Sequence, residues 1–308
     1  MVNRMIKQTN WNGLPAYEFA TERLSCVVLP TPGAKIVSIF DKKYNREWLV
    51  PPMREIRETE YGSAFTQECM CGWDEMLPTI DRCDWHGIEF PDHGELWGIP
   101  WRAEADSESL TLSVSGIHWP FEFTRKMAVS EDNKIRMTYT LKNGGNLRMA
   151  WLWAAHPQFA VDTETRIVLP DEVNEVINVL EGDPVFGAAG KAYSWPNGSP
   201  DPAVALDRIR SVKHQSCRKV YIPPEVHIDH AALLDERNGC GLKLSWDAAR
   251  VPYCGIWVDE GAYNARPVAA IEPTTGYYDS LNTASRNNRL AYLDPNASVS
   301  WYIDVCVE

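Results

Sequence analysis

The feature that most constrains this chain is an alternation of apolar and polar residues with a period of two, which recurs along the whole sequence. It is clearest at residues 121–129 and 135–141, which flank a polar, turn-like segment at residues 130–133. Successive side chains of a strand point to opposite faces, so this pattern predicts a hairpin with one buried face. Residues 299–307 predict a last strand of the same kind.

The N-terminal third follows the same rule, with short predicted strands at residues 16–19, 24–29 and 35–40. Helical periodicity is limited to brief stretches near Ile56 and at residues 203–209, which are too short for the crossover helices of a doubly wound fold. Residues 182–202 are rich in Gly, Pro and Ser and predict a long loop rather than a linker. We therefore predict an all-β protein, a large antiparallel β-sandwich formed by one domain over residues 1–308.

Composition narrows the classes of partner. Lys and Arg number 30 against 42 Asp and Glu, giving a formal charge of −12 without a basic patch, which argues against nucleic acid. No apolar run reaches the roughly 18 residues of a membrane span, and residues 1–10 lack the apolar core of a signal peptide. We expect a cytoplasmic protein with free thiols.

The chain has 13 tryptophans, which suit a thick core, a ligand site with flat apolar walls, or both.

Two histidines have the context of a site, because His can exchange a proton near neutral pH. His93 precedes Gly94 and lies four residues before Trp97, while His156 ends a predicted strand at Pro157. The alternation places His156 on the face opposite Trp151 and Trp153. The alternative, a structural histidine bonded to a nearby carbonyl, stays open for both.

A third segment, residues 269–276, places Glu272 between a short apolar strand and a turn. Burial at such a position would raise the pKa of a carboxylate and make it a stronger base. The alternative is a glutamate bonded to Thr274 or to backbone donors in the turn.

In their order and spacing, these three segments resemble the aldose 1-epimerase (galactose mutarotase) family, in a divergent branch where His-Gly is followed by Trp, a later strand has Trp-Ala-Ala-His-Pro-x-Phe, and Glu-Pro carries the base. The opening residues 30–49 fit the same family. The resemblance implies a β-sandwich with a sugar cleft across one sheet, an isomerase that interconverts α and β anomers, and no metal or redox cofactor.

The resemblance assigns Glu272 as general base, His156 as general acid and His93 as the histidine that holds the sugar near its ring oxygen. Opening a hemiacetal needs one proton acceptor and one donor at the same carbon. We expect Glu272 and His156 to face each other across a gap about the width of a pyranose ring. We also expect His156 to be charged at rest, stabilised by carboxylates from the segments around His93, namely Asp74, Glu75 and Asp92.

Three further residues are predicted to bind substrate. Residues 253–257 resemble the strand before the base strand, so Trp257 is expected to line the cleft, although an ordinary core Trp stays the alternative. Residues 72–78 occupy the place where many family members carry an arginine, and none stands there. Glu75 and the nearby Arg82 are the candidates for contacting sugar hydroxyls, which leaves the sugar open.

Rival hypotheses remain. Cys69, Cys71, Cys83 and His86 could form a zinc site, although the spacing is not that of a standard zinc knuckle. The sandwich could be a non-catalytic sugar-binding protein. A hexose phosphate could be the substrate if cationic side chains converge at the rim, the candidates being Arg54, Arg57 and Arg82. The expected partner is a small sugar, without nucleic acid or membrane, and a homodimer stays open.

Overall fold

The computed structural model describes residues 5–68, 70–130, 134–181 and 185–308. The first strands along the chain are β1 Met5–Trp11, β2 Leu14–Ala20, β3 Leu24–Val28, β4 Ile36–Asp41, β5 Arg46–Glu47, β6 Trp73–Met76, β7 Cys83–Trp85, β8 Ile88–Phe90, β9 Arg102–Ala105, β10 Ser109–Ser115, β11 Phe121–Val129 and β12 Ile135–Asn143. The remaining strands are β13 Met149–Trp151, β14 Ala154–Pro157, β15 Phe159–Ala160, β16 Thr165–Val168, β17 Glu175–Asn178, β18 Ala192–Ser194, β19 Ser216–Tyr221, β20 His230–Asp235, β21 Cys240–Trp246, β22 Tyr253–Glu260, β23 Val268–Thr274, β24 Ala291–Leu293 and β25 Ser298–Val307.

Helix is sparse in the described ranges. It comprises α1 Leu281–Arg286 and two short 3-10 turns, Phe65–Gln67 and Val212–His214. None of the helices in this part of the chain has the length and apolar character needed to span a bilayer.

Two large antiparallel sheets contain most of the strands. The larger sheet runs β1-β2-β3-β4-β6-β14-β23-β22-β19-β17-β18, with β5 paired to β4 and β15 to β23. The smaller sheet runs β16-β20-β21-β25-β12-β11-β10-β9, and β7–β8 and β13–β24 form two separate ribbons. The predicted all-β, antiparallel architecture is confirmed.

Apolar faces of both sheets meet in one buried cluster. Its centre is aromatic: the Trp301 ring lies 5.0 Å from that of Trp153, 5.3 Å from that of Trp151 and 5.7 Å from that of Tyr139. Offset and tilted ring contacts of this kind add to the free energy gained by burying large apolar area. Much of the tryptophan content therefore forms the core between the sheets.

The predicted hairpin at residues 121–141 is confirmed as β11 and β12, with Val129 opposite Ile135, while its turn residues 131–133 lie outside the described ranges. The stretches with helical periodicity do not form helices: residues 203–209 contain turns and an isolated bridge from Arg208 to Arg166, and the chain near Ile56 has no regular secondary structure. The apolar residues of this loop are buried in the main core, which explains the pattern; they are Val204, Leu206 and Ile209. Within the predicted loop at residues 182–202, β18 pairs with β17, a strand that the Gly and Pro content concealed.

The segment around His156 consists of two short strands, β13 and β14, rather than one. Trp153 and Ala155 pack in the main core, whereas Ala154 belongs to a second, smaller apolar cluster on the other side of the sheet. The predicted alternation is confirmed, and it directs His156 away from the main core.

Candidate active site

A cleft of about 370 Å³ opens over the middle of the larger sheet, on the side away from the main core. Neighbouring strands β14, β23, β22 and β19 form its base, and loops from elsewhere in the chain form its rim. Small-molecule sites typically have volumes of about 300–1,000 Å³. The residues that line the cleft are Phe65, Thr66, Met70, Ile80, Asp81, His93, His156, Val179, Leu180, Glu181, Cys217, Lys219, Trp257, Tyr263, Glu272 and Asp279.

His156 and Glu272 lie side by side at the base of the cleft. Antiparallel pairing of Ala154 with Thr274 fixes the register of β14 against β23, and two residues further along this register His156 comes opposite Glu272. His156 is 5% exposed and Glu272 is 1% exposed, and His156 Nε2 lies 3.8 Å from Glu272 Oε1. The two groups are adjacent, not separated by a ring width as expected. Because the two oxygens of a hemiacetal are bonded to one carbon, adjacent groups can reach both.

His156 is neutral at rest, and the expectation of a charged imidazole is wrong. Burial lowers its pKa well below the ordinary value, and electrostatic interactions with His93 and the Lys219 ammonium group lower it further. The carboxylates that were expected to stabilise a His156 imidazolium are paired with other side chains. Asp74 is ion-paired with buried Lys35, and Asp92 contacts His93.

His93 is held beside His156 by two contacts. Its Nδ1 is 2.8 Å from Asp92 Oδ1, and its ring stacks on Phe65 with centroids 3.9 Å apart. Asp92 also accepts the Phe65 backbone N–H at 3.1 Å, so one carboxylate positions both rings. Burial would raise the pKa of Asp92, but these hydrogen bonds outweigh it and lower that pKa. The His93 and His156 ring centroids are 5.0 Å apart, at the same end of the cleft.

Trp257 stands half-buried on β22 and lines the cleft, with its ring 6.5 Å from His156 and 6.1 Å from Tyr263. The rim loop that carries Tyr263 is fixed by Asp259, whose carboxylate accepts backbone N–H groups from residues 261–264. The rings of Trp257 and Tyr263 therefore form an aromatic wall on the side of the cleft next to β23.

Glu75 and Arg82 do not line the cleft, which corrects the expectation for both. Glu75 neighbours Ala155 across β6 and β14, so the alternation directs it into the main core. There its oxygens accept hydrogen bonds from Arg125, Tyr139 and Trp153, each at 2.9 Å. The Arg82 side chain is 70% exposed and pairs with Glu89 on the surface at 3.1 Å.

Four charged residues that line the cleft were missed by the sequence analysis, namely Asp81, Glu181, Lys219 and Asp279. Lys219 Nζ lies 2.9 Å from Glu272 Oε2 and 2.9 Å from Asp279 Oδ1, and Tyr221 donates its hydroxyl to Asp279 at 2.8 Å. Lys219 lies on an ordinary alternating strand without a motif. Asp279 follows Glu272 by only seven residues, but nothing local indicates that the chain turns back to the cleft.

The zinc hypothesis gains no support from the geometry. Cys71 and Cys83 are buried in different apolar clusters, His86 is exposed, and Cys69 lies outside the described residues. Within the described ranges, no three His, Cys, Asp or Glu side chains are grouped so as to hold a metal ion.

Gly255 lies opposite both Glu272 and Tyr221, and the Tyr221 ring packs over it. A Cβ at this position would lie 2.8 Å from that ring, so Gly255→Ala has to displace the tyrosine whose hydroxyl contacts Asp279. We expect the free energy of unfolding to fall by about 1–3 kcal/mol, the usual effect of overpacking, as measured by urea denaturation. An unchanged urea midpoint would contradict this close packing.

The fold is that of galactose mutarotase-like proteins. A galactose mutarotase-like protein from Clostridium acetobutylicum superposes with a TM-score of 0.70 at 16% identity, covering 98% of each chain. Another from Lactobacillus casei gives 0.68 at 14% identity, covering 95% of this chain and 100% of that one. A galactose mutarotase related enzyme from Lactobacillus acidophilus gives 0.66 at 14% identity, covering 95% and 97%. No family model and no curated protein matches the sequence.

Proposed function

We propose that this protein is an isomerase of the aldose 1-epimerase type, which interconverts the α and β anomers of a sugar in the cleft over the larger sheet. The observation that carries the proposal is the pair formed by Glu272 and His156, two buried groups capable of proton transfer 3.8 Å apart at the base of a cleft with aromatic walls. Titratable groups perturbed by burial in a cleft are typical of active sites.

Ring opening by this pair balances in protons. From the form with a Glu272 carboxylate and a His156 imidazolium, Glu272 takes the proton from the anomeric hydroxyl, the C1–O5 bond breaks as the C1 carbonyl forms, and His156 gives its proton to the ring oxygen. Rotation about C1–C2 then presents the other face of the aldehyde. Reclosure returns the protons in the reverse direction and leaves both residues as they began.

The pair needs one proton in total. Burial raises the pKa of Glu272 and lowers that of His156, so at rest a shared proton favours the carboxyl group over the imidazole. In the form with a carboxylate and an imidazolium, the low pKa of His156 makes it a strong acid toward the ring oxygen. This reacting form has the same net charge as the resting form, and transfer of the proton from the Glu272 carboxyl group to His156 converts one into the other.

The cleft favours an uncharged sugar. His93 supplies a polar contact, and the half-buried Trp257 ring supplies an apolar wall for a sugar ring. Among the described residues that line the cleft there is no arginine, and Lys219 already contacts two carboxylates. Arg54 and Arg57 are not among the residues that line the cleft: Arg54 donates to the Gln67 carbonyl, and Arg57 Nη2 lies 3.7 Å from Glu68 Oε2. A hexose phosphate is therefore the less suitable substrate. The cytoplasmic location stays a prediction.

Exchange NMR between anomers tests the proposal directly. With protein added, we expect faster α/β exchange for neutral aldoses such as glucose, galactose and xylose than for glucose 6-phosphate or galactose 6-phosphate. A non-catalytic sugar-binding protein would broaden or shift sugar signals without changing the exchange rate. Equal exchange rates with and without protein across the whole panel would contradict the proposed activity.

A further inference from the structure

Lys219 is a buried cation held between two carboxylates. Its side chain is 11% exposed, and Nζ lies 2.9 Å from both Glu272 Oε2 and Asp279 Oδ1. It comes from β19, which is separated from the strand of Glu272, β23, by β22. The other oxygen of Glu272, Oε1, is the one that faces His156. One carboxylate therefore divides its two oxygens between a fixed cation and the imidazole.

Asp279 is itself fixed from three directions. Tyr221 donates its hydroxyl to Oδ1, and the Asp279 carbonyl accepts the backbone N–H groups of Ile80 and Asp81 at 3.0 and 2.6 Å. Its backbone adopts φ +55°, in the left-handed region that Asp and Asn tolerate better than most residues. The position of Lys219 is thus set by the scaffold and not by Glu272 alone.

We propose that Lys219 is a positioning residue of the acid–base pair: clamped by Asp279, its ammonium group orients the Glu272 carboxylate toward His156 and sets how readily that carboxylate ionises. The inference rests on the proposed function for its catalytic meaning. The effect of Lys219 on the ionisation of Glu272 does not depend on that function and can be tested without any sugar.

The charges around Glu272 act in opposite directions. Burial raises the pKa of Glu272, Lys219 lowers it, and Asp279 raises it. Burial also opposes the charge on Lys219, but Asp279, Glu272 and Asp81 outweigh it and raise the Lys219 pKa, so the ammonium group persists at neutral pH. The other titratable groups that act on this pair are His93, Asp81 and Tyr221. His156 Nε2 lies 3.8 Å from Glu272 Oε1.

Two substitutions should shift the Glu272 pKa in opposite directions. Lys219→Met removes the cation and should raise it by about one to three units, the usual effect of an adjacent opposite charge. Asp279→Asn keeps an acceptor for Tyr221 and a residue suited to φ +55°, but removes the negative charge, so the Glu272 pKa should fall. Carbon-13 NMR of glutamate-labelled protein, assigned by the signal lost in Glu272→Gln, measures both shifts directly.

The pH profile of anomer exchange gives the second measurement. Lys219 also lowers the pKa of His156, so in Lys219→Met the whole profile of kcat/KM should move to higher pH, while Lys219→Arg should restore the original position. Exposed Lys213→Met is the matched control and should leave the profile in place. A purely structural role would lower kcat at every pH without moving the profile.

Opposite shifts of the Glu272 signal in the two variants support the inference. An unchanged Glu272 pKa in Lys219→Met, or a shift in the same direction in both variants, would overturn it. If the Glu272 pKa moves as expected but the unmodified protein exchanges no sugar, the electrostatic role of Lys219 stands and the proposed function fails. The two failures are therefore distinguishable.

Discussion

Glu272→Gln should lower the rate of anomer exchange by about 10²–10⁴-fold, the usual contribution of one positioned proton-transfer group. Glutamine has the same shape but cannot accept the proton of the anomeric hydroxyl at neutral pH. Because Lys219 keeps Asp279 as a partner, the cleft should retain its structure and its affinity for sugar. Exchange NMR gives the rate, and titration of the same sugar by chemical-shift perturbation gives the affinity.

The matched control is Glu89→Gln, the same chemical change at a residue on the surface ribbon whose carboxylate pairs with exposed Arg82. It should leave the exchange rate unchanged. If Glu272→Gln retained full activity, the carboxylate would not be the base. If it lost sugar binding together with activity, a binding role for Glu272 would replace the catalytic one.

Arg125→Met should destabilise the fold more than any substitution in the cleft, by about 3–5 kcal/mol at pH 8, because it leaves a buried carboxylate without its cation. Arg125 and Glu75 are both fully buried between the sheets, with Arg125 Nη1 2.9 Å from Glu75 Oε1. Arg125 also donates to the Ala34 carbonyl. Urea denaturation measures the free energy of unfolding.

The loss of folding stability in Arg125→Met should depend on pH. Burial raises the pKa of Glu75 from 4.5 to about 7, even with Arg125 opposing the shift. The folded state therefore binds this proton more tightly than the unfolded chain, and the stability from Glu75 falls as pH rises through that window. Without Arg125 the pKa rises further, so at pH 5 the carboxyl is neutral and the variant should lose less stability than at pH 8.

Two controls bracket this prediction. The double variant Arg125→Met/Glu75→Gln removes both charges and should recover part of the stability, since paired removal leaves no uncompensated ion. Arg82→Met breaks an exposed ion pair and should cost about 0–1 kcal/mol. Equal losses at pH 5 and pH 8 in Arg125→Met would show that Glu75 does not carry the effect.

Asp74 and Glu75 point to opposite sides of the larger sheet, a difference that the sequence alone could not predict. They are adjacent in the chain, yet Asp74 points with His156 toward the cleft side and Glu75 points into the core. Their strand, β6, is buried on both faces, so its residues show no alternation of apolar and polar character to mark the sides. The register of β6 against β14 separates them, and that register is a property of the whole sheet.

The alternation of side chains determined the antiparallel β architecture and the face on which His156 lies, because these follow from the geometry of a single strand. Local segments also indicated His93, His156, Trp257 and Glu272, which the structure gathers in one cleft. Only the tertiary structure decided that Lys219 and Asp279 join them, that Glu75 and Arg82 do not, and that His156 is neutral. Strand order, long-range register and burial set these outcomes, and each depends on residues far apart in the chain.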